Sequence, residues 1–242
     1  MKINPQNLIK ILELASIKYE LDPLYLKFSN DGIYVKQMDS AGVIASIGKV
    51  GVGAFQDYEE LGDVTLDMSL TKRIKNMFKT DDYINITKKD DKLILEGNKE
   101  TYTIPLSTQV PNLVSDDVYQ FTPYGFTLKK PKMYKAFKID ITELDVEYDE
   151  TITINYETNF PLIKTNIGTT TYTKKINPVQ VKDLSNKIDK TESVFDGSML
   201  LNIVNLIKDV VWIVLSEGPI HITYHSDVLP IDITYILSER VS

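Results

Sequence analysis

DMSLTKRIKNMFKTDDYINI, residues 67–86, and DGSMLLNIVNLIKDVVWIVL, residues 196–215, lie at a constant offset of 129 (196 − 67) and carry one pattern. Asp67/Asp196, Ser69/Ser198, Ile74/Ile203, Asn76/Asn205, Lys79/Lys208 and Ile84/Ile213 coincide, and Met77/Leu206, Phe78/Ile207 and Tyr83/Trp212 match in kind. Each copy predicts a helix, over 69–79 and 198–208, running into a strand. In the first, Leu70, Ile74, Met77 and Phe78 fall on one side while Lys72, Arg73, Lys75 and Lys79 spread over the other. The second is apolar almost all round.

Working outward, a helix is expected over 4–19, with Asn4 as N-cap, Pro5 at the first position and Leu8, Ile11, Leu12, Ala15 and Tyr19 on one stripe. Another is expected over 131–144, burying Met133, Ala136, Phe137, Ile141 and Leu144 and leaving Lys132, Lys135 and Lys138 out. Period-two runs rich in Ile, Val, Thr and Tyr at 82–87, 151–156, 169–175 and 221–224 read as strands. A near-identical offset sets the first helix and strand 24–28 over the third helix and strand 151–155, so each half reads helix, strands, helix, strands. Two copies of one α+β domain are expected, against the competing reading that any two amphipathic helices followed by a strand look alike. Residues 107–122 (STQVPNLVSDDVYQFT) show no helical period, and Pro111 and Asp116-Asp117 interrupt any strand, which reads as a linker between domains 1–106 and 123–242. Its Val110, Leu113, Val114 and Val118 exceed what a solvated linker needs; either they lie on the body or they form part of a docking surface.

Composition narrows the functional classes. The 242 residues are 43% hydrophobic and 25% charged, with no run approaching 18 apolar residues and no signal-like N-terminus, so an intracellular protein without a membrane partner is expected. The absence of Cys removes disulfides, thiolate metal sites and thiol nucleophiles. A net charge of −7 argues against nucleic acid unless the cations are segregated onto one surface. Only Arg73 and Arg240 among 27 basic residues are Arg, so bidentate reading of guanine is nearly unavailable and DNA contact should be non-specific. Enzymatic signals are missing: there is no phosphate-cradling Gly loop and no Gly-x-Ser-x-Gly. His221 and His225 would stand about 13 Å apart along a strand, too far to chelate one ion. The pairs Asp81-Asp82, Asp90-Asp91 and Asp116-Asp117 sit where turns need Asp. No catalytic residue, cofactor or metal is expected.

Residues 32–43 (GIYVKQMDSAGV), 63–78 (DVTLDMSLTKRIKNMF), 81–87, 168–176 and 211–241 resemble, in this order and across essentially the whole chain, the PCNA (proliferating cell nuclear antigen) family of DNA sliding clamps. That resemblance implies a DNA-clamp fold of two similar domains, each with two helices packed on antiparallel sheet, closing as a trimer into a ring of pseudo-sixfold symmetry. It implies a non-enzymatic processivity factor that encircles duplex DNA and tethers DNA polymerase, clamp loader, ligase and nuclease clients in replication and repair. The helix cations Lys10, Lys18, Lys72, Arg73, Lys75, Lys79, Lys132, Lys135, Lys138 and Lys208 would then face DNA; otherwise they are ordinary solvated helix faces. Thr101, Tyr102, Thr103 and Ile104 on one edge strand would pair with Thr170, Tyr172 and Lys174 of the neighbouring subunit. Clients would dock at Met38, Ser40, Ala41, Gly42, Val110, Leu113, Val114, Val118, Pro219, Ile220, Leu237 and Ser238.

Departures are visible. Ala41 and Gly42 stand where the family has Ser and His, and Ser238, Glu239 and Arg240 replace its Ala-Pro-Lys, so the docking groove is expected to differ. The helix at 198–208 holds only Lys208, which predicts lopsided DNA contact. The alternatives are a checkpoint-type clamp subunit, a monomeric viral processivity factor or, in another class, a structural or interaction protein with no DNA role. Richness in Lys, Ile, Asn and Tyr fits an AT-rich archaeal or viral genome, with a cytoplasmic location in the first case and a host replication compartment in the second.

Overall fold

A computed structural model describes residues 1–144, 151–156, 158–167, 170–185 and 190–240. The chain forms two compact units: Met1–Asp39 with Ser46–Val114 and His225–Ile233, and Ser40–Ala45 with Ser115–Tyr224 and Thr234–Ser242.

In the first unit, β1 (Lys2–Ile3) leads into α1 (Pro5–Ser16), whose N-terminus is fixed by Asn4: its side chain accepts from the Gln6 and Asn7 amides. Strands β2 (Leu24–Ser29), β3 (Gly32–Met38), β4 (Ile44–Gly51) and β5 (Gly62–Leu66) make one sheet in the order β4-β3-β2-β5. The helical segment after β5 is broken into α2 (Met68–Thr71) and α3 (Ile74–Met77), shorter than the single helix expected over 69–79. Then β6 (Ile84–Lys89), β7 (Lys92–Glu96) and β8 (Thr101–Pro105) complete a second sheet, β1-β6-β7-β8. Leu8, Ile11, Leu12 and Ala15 of α1 and Ile74 and Phe78 are buried with the inward residues of both sheets. α1 packs beside α3.

The second unit repeats this plan. After the hairpin β9 (Tyr119–Thr122) and β10 (Gly125–Leu128) come β11 (Met133–Asp140), a 3-10 turn (Ile141–Leu144), β12 (Thr151–Asn155), β13 (Leu162–Ile167), β14 (Thr170–Lys175) and an added strand β15 (Gln180–Asp183). There follow β16 (Glu192–Asp196), α4 (Gly197–Ile207), β17 (Val210–Ser216), β18 (Ile220–Ser226) and β19 (Ile231–Leu237), whose first three residues belong to the first unit. Sheet β14-β13-β12-β16 answers β4-β3-β2-β5, and β11-β17-β18 answers β1-β6-β7.

The duplication extends to single hydrogen bonds. Asp67 Oδ1 accepts from the Ser69 amide at 2.8 Å, and Asp196 Oδ1 from the Met199 amide at 3.1 Å, so both predicted helix starts are capped by an Asp. The bonds from Ser69 hold the Asp67 carboxyl below its ordinary range; burial raises that of Asp196, but Ser198 and the Met199 amide more than offset it. Past the last strand of each half the chain turns back on an outer strand: Ser107 N–H donates to Thr65 O and Arg240 N–H to Val194 O, at 2.8 Å each. Thr65 and Val194 are again 129 apart (194 − 65).

Two expectations are corrected. Residues 131–144 do not form a helix: β11 is a central strand laddered to both β15 and β17. Tyr134, Ala136, Phe137 and Ile139 are all buried, which needs both faces covered, and a one-sided helix would have left Tyr134 and Ile139 in water. The linker expected over 107–122 ends in strand, because 119–122 pairs with 125–128 across a Thr122-Pro123-Tyr124-Gly125 turn. Gly168 and Thr169, expected to open a strand, and Val241 in the C-terminal run lie outside the described residues.

The end of α1 is locally strained. Ile17, Lys18 and Tyr19 take φ values of 54°, 55° and 79° in succession, a left-handed stretch that costs L-residues about 1–2 kcal/mol each. It is held by Lys18 N–H to Glu13 O (2.8 Å), Tyr19 N–H to Ser16 Oγ (3.0 Å), Leu21 N–H to Ser16 O (2.9 Å) and complete burial of Ile17. Lys208, at φ 50°, caps α4 in the same conformation.

Candidate functional site

Among the described residues, three groups on the surface carry the chemistry. The first is the outer side of the helices in the first unit. Gln6, Asn7, Lys10 and Glu13 line the polar stripe of α1, and Lys72, Arg73, Lys75 and Lys79 are exposed around α2 and α3. The Lys72 ammonium sits 4.9 Å above the centre of the Tyr19 ring, so the strained turn and the second helical segment share one basic surface. Six cations (Lys10, Lys18, Lys72, Arg73, Lys75, Lys79) belong to it; Tyr19 beneath Lys72 was not anticipated.

The second unit does not reproduce this surface. Lys132, Lys135 and Lys138, expected on a helix, fall on β11 or just before it. Lys135 is inside, 4% exposed, donating from Nζ to Thr158 O at 3.1 Å with Asp183 at 3.7 Å. Lys138 is half-buried, and Lys132 is exposed at the entry to the strand. Of the cations expected in this half, only Lys208 stands exposed on a helix end.

The residues expected to dock clients divide between the units. In the first, the connector lies along β3: Met38 N–H donates to Asn112 O (2.9 Å), Val114 N–H to Lys36 O (3.1 Å), and Gln37 pairs with Leu113. Val114 is buried by this contact, while Leu113 is exposed and Val110 is 91% exposed. In the second, Ser40, Ala41 and Gly42 are exposed, and Ser238 bonds back to them through its N–H to Val43 O (2.8 Å) and its Oγ to Gly42 O (3.0 Å). Val118 edges a concavity of about 600 Å³ with Asp117, Leu128, Lys129, Lys130, Pro131 and Glu217. Pro219 is half-buried, but Ile220 and Leu237 are core residues with no exposed surface and cannot line a groove. Missed from the sequence was the β9–β10 hairpin, where Phe121 is exposed and packs edge-on against Phe126 at 5.2 Å. The alternation in YQFT and GFTL about Pro123 and Gly125 carried its signal.

The third group is the pair of sheet edges. β8 ends one sheet of the first unit and β14 ends one sheet of the second. Thr101 and Thr103 are exposed; Tyr102 is half-buried, its hydroxyl donating to Leu70 O at 2.9 Å; Ile104 is core. On β14, Thr170 and Tyr172 are exposed and Lys174 is half-buried, and the Lys175 ammonium lies 3.8 Å over Phe160.

The two histidines do not meet. His221 is wholly buried in the second unit, and burial depresses its imidazole to about 4, the Val214 backbone opposing this only weakly. Among the described residues neither ring nitrogen makes a well-formed hydrogen bond. His225 lies in the first unit between Asp232 Oδ1 (2.6 Å from Nδ1) and Asp227 Oδ1 (2.9 Å from Nε2). Asp232, then Asp227, raise its pKa. A raised folded-state pKa stabilises below the unfolded value and is lost as pH rises through the folded one. Denaturation midpoints of wild type and His225→Gln are therefore expected to differ at pH 6 and to converge at pH 9. Equal gaps at both would show that the His-Asp pairing contributes nothing. Among the described residues no group of three His, Cys, Asp or Glu side chains is arranged to hold a metal.

A doubled α+β unit with helices packed on antiparallel sheets and two terminal edge strands is the DNA-clamp fold. No protein-family model matches the sequence, and no curated protein matches it at the sequence level. Solved structures do match in fold. PCNA of Entamoeba histolytica superposes with a TM-score of 0.75 at 16% identity, covering 99% of this chain and 98% of that one. PCNA of A. fulgidus, in its complex with the C-terminal region of FEN-1, gives 0.72 at 14%, covering 100% and 98%. A chain of the PCNA2-PCNA3 complex of Sulfolobus tokodaii gives 0.73 at 17%, covering 99% and 98%. The chain has a PCNA-like clamp fold over its whole length.

Proposed function

We propose that this chain is a subunit of a DNA sliding clamp, a non-enzymatic ring that encircles duplex DNA and tethers replication and repair proteins. The observation that carries the reading is the duplicated sheet order, within a fold matched over 98% of each PCNA chain and 99% or more of this one. In this reading β8 of one subunit adds to β14 of the next, a head-to-tail contact that closes by rotation. The cationic helix surface holds phosphates loosely, through mobile ammoniums and without base readout. Clients, among them a polymerase, a ligase, a nuclease and the loader that opens the ring, approach the connector and the exposed loop 40–42. That A. fulgidus PCNA is bound by a FEN-1 segment and that Sulfolobus tokodaii PCNA2 and PCNA3 form a complex both support peptide docking and subunit association.

The first test is solution mass by light scattering on a sizing column at micromolar protein. Three times the 27.6 kDa chain mass is expected. A single-chain mass would sink the stable homotrimer and leave a heteromeric or monomeric processivity factor, which mixing with a DNA polymerase on a primed circular template would separate.

A further inference from the structure

The two copies of the helical layer differ in charge where they can be compared residue by residue. Shifting by 129 puts Leu201 where Lys72 stands, Asn202 where Arg73 stands and Val204 where Lys75 stands; only Lys79 keeps a basic counterpart, Lys208. Val204 is buried, and the exposed positions of α4 and its cap are Ser198, Asn205 and Lys208. Residues 4–23 with 68–80 hold six cations (Lys10, Lys18, Lys72, Arg73, Lys75, Lys79) against three carboxylates (Glu13, Glu20, Asp22). Compared segment by segment, 68–80 hold four cations and no carboxylate, while their counterparts, 197–209, hold one cation (Lys208) and one carboxylate (Asp209).

We propose that duplex DNA is held by the helices of the first copy, its phosphates meeting Lys10, Lys18, Lys72, Arg73, Lys75 and Lys79, while α4 of the second copy and its cap Lys208 take no phosphate. The inference rests on the DNA-holding part of the clamp reading and deepens it. Phosphate affinity comes from counterions released by cations, and a helix whose exposed positions offer a single cation, Lys208 beside Asp209, releases almost none. A second observation points the same way. Three successive residues are held left-handed at the end of α1, and that turn sets Lys18 on the surface and the Tyr19 ring under Lys72.

Lys18 and Lys208 provide a matched test, since both are left-handed residues at a helix end where Gly is the conformationally preferred residue. Lys18→Gly and Lys208→Gly each remove one charge and should each keep or raise Tm, so unfolding cannot mimic a binding defect. Binding of a fluorescein-labelled 30-bp duplex is followed by anisotropy across a sodium chloride series. Wild type should show a log–log salt slope no steeper than about −5, the bound set by six cations at about 0.9 each. Lys18→Gly should be shallower by about 0.9 and weaker by about 5–10-fold near 0.1 M salt. The triple variant Lys72→Ala/Arg73→Ala/Lys75→Ala should be shallower by about 2.7 and weaker by more than about 100-fold. Lys208→Gly should stay within about twofold of wild type, the loss of no contact.

A Lys208→Gly protein as impaired as Lys18→Gly, a triple variant with the wild-type slope, or a wild type with no affinity for the duplex would each overturn the proposal. Binding through the first copy by a chain that neither assembles nor supports processive synthesis would sink the clamp reading and leave this inference standing. A processive clamp in which both copies contribute equally would sink this inference alone.

Discussion

A Gly125→Val protein is expected to lose about 2–5 kcal/mol of stability, the sum of overpacking and of forcing a β-branched residue into a left-handed backbone. Gly125 sits at φ 100°, and a Cβ there would lie 2.5 Å from both Thr223 Cγ2 and Thr234 Oγ1, with Thr223 Oγ1 closer still. Those two threonines anchor the β9–β10 hairpin. Thr223 Oγ1 donates to Tyr124 O at 2.6 Å, Phe126 N–H donates to Thr234 Oγ1 at 3.0 Å, and the two hydroxyls lie 2.8 Å apart. Tyr124 also packs edge-on against Trp212 at 4.8 Å. The substitution therefore removes the anchor as well as straining the turn. Urea denaturation measures the loss, and limited proteolysis locates it, with new cleavage expected between residues 119 and 128. A loss under about 1 kcal/mol, with the protease pattern unchanged, would mean the hairpin is free to shift and the threonine pair does not hold it.

The second large effect is pH-dependent. His221→Leu is expected to gain stability over wild type by an amount that grows by about 2.5 kcal/mol between pH 7.5 and 4.5, at about 1.4 kcal/mol per pH unit below the unfolded pKa. The sign follows from which state holds the proton. Burial keeps the folded imidazole neutral down to about 4, while the unfolded chain protonates near the ordinary imidazole value of 6.5. Between these values the unfolded state binds more protons, so wild type weakens as the pH falls, and Leu has no proton to bind. Thermal melts of both proteins across that range decide it. A constant difference would show that His221 is protonated and partnered in the folded state.

Legibility in the sequence followed the physics of each segment. The helices beginning near 69 and 198 were readable because their apolar period is a local signal; that Asp67 and Asp196 cap them, each carboxylate accepting an orphan helix amide, is what the structure adds. Residues 131–144 were misread because Pro131, Met133, Ala136 and Phe137 imitate a helix entry and stripe. What decided the matter was non-local pairing with β15 and β17, which lets even Lys135 lie inside by giving its ammonium the Thr158 carbonyl. Ile220 and Leu237 looked like groove residues because position along a family pattern does not report depth. The basic surface of the first unit could be read one cation at a time, but the left-handed run at Ile17, Lys18 and Tyr19 could not, since no Gly marks it.

The connector is ordered at both of its ends, each within its own unit: Asn112 to Val114 along β3, and Val118 by its carbonyl to the Lys129 amide at 2.8 Å. Only residues 115–117 lie between these anchors. Under the proposed function, a peptide settling against residues 112–114 would meet a backbone whose freedom has already been surrendered, so little of its binding energy would be diverted to ordering the receptor. Client exchange on this chain would then be governed by what the peptide itself must freeze. Short, pre-shaped segments would come and go quickly, and long disordered ones would bear nearly the whole entropic cost alone.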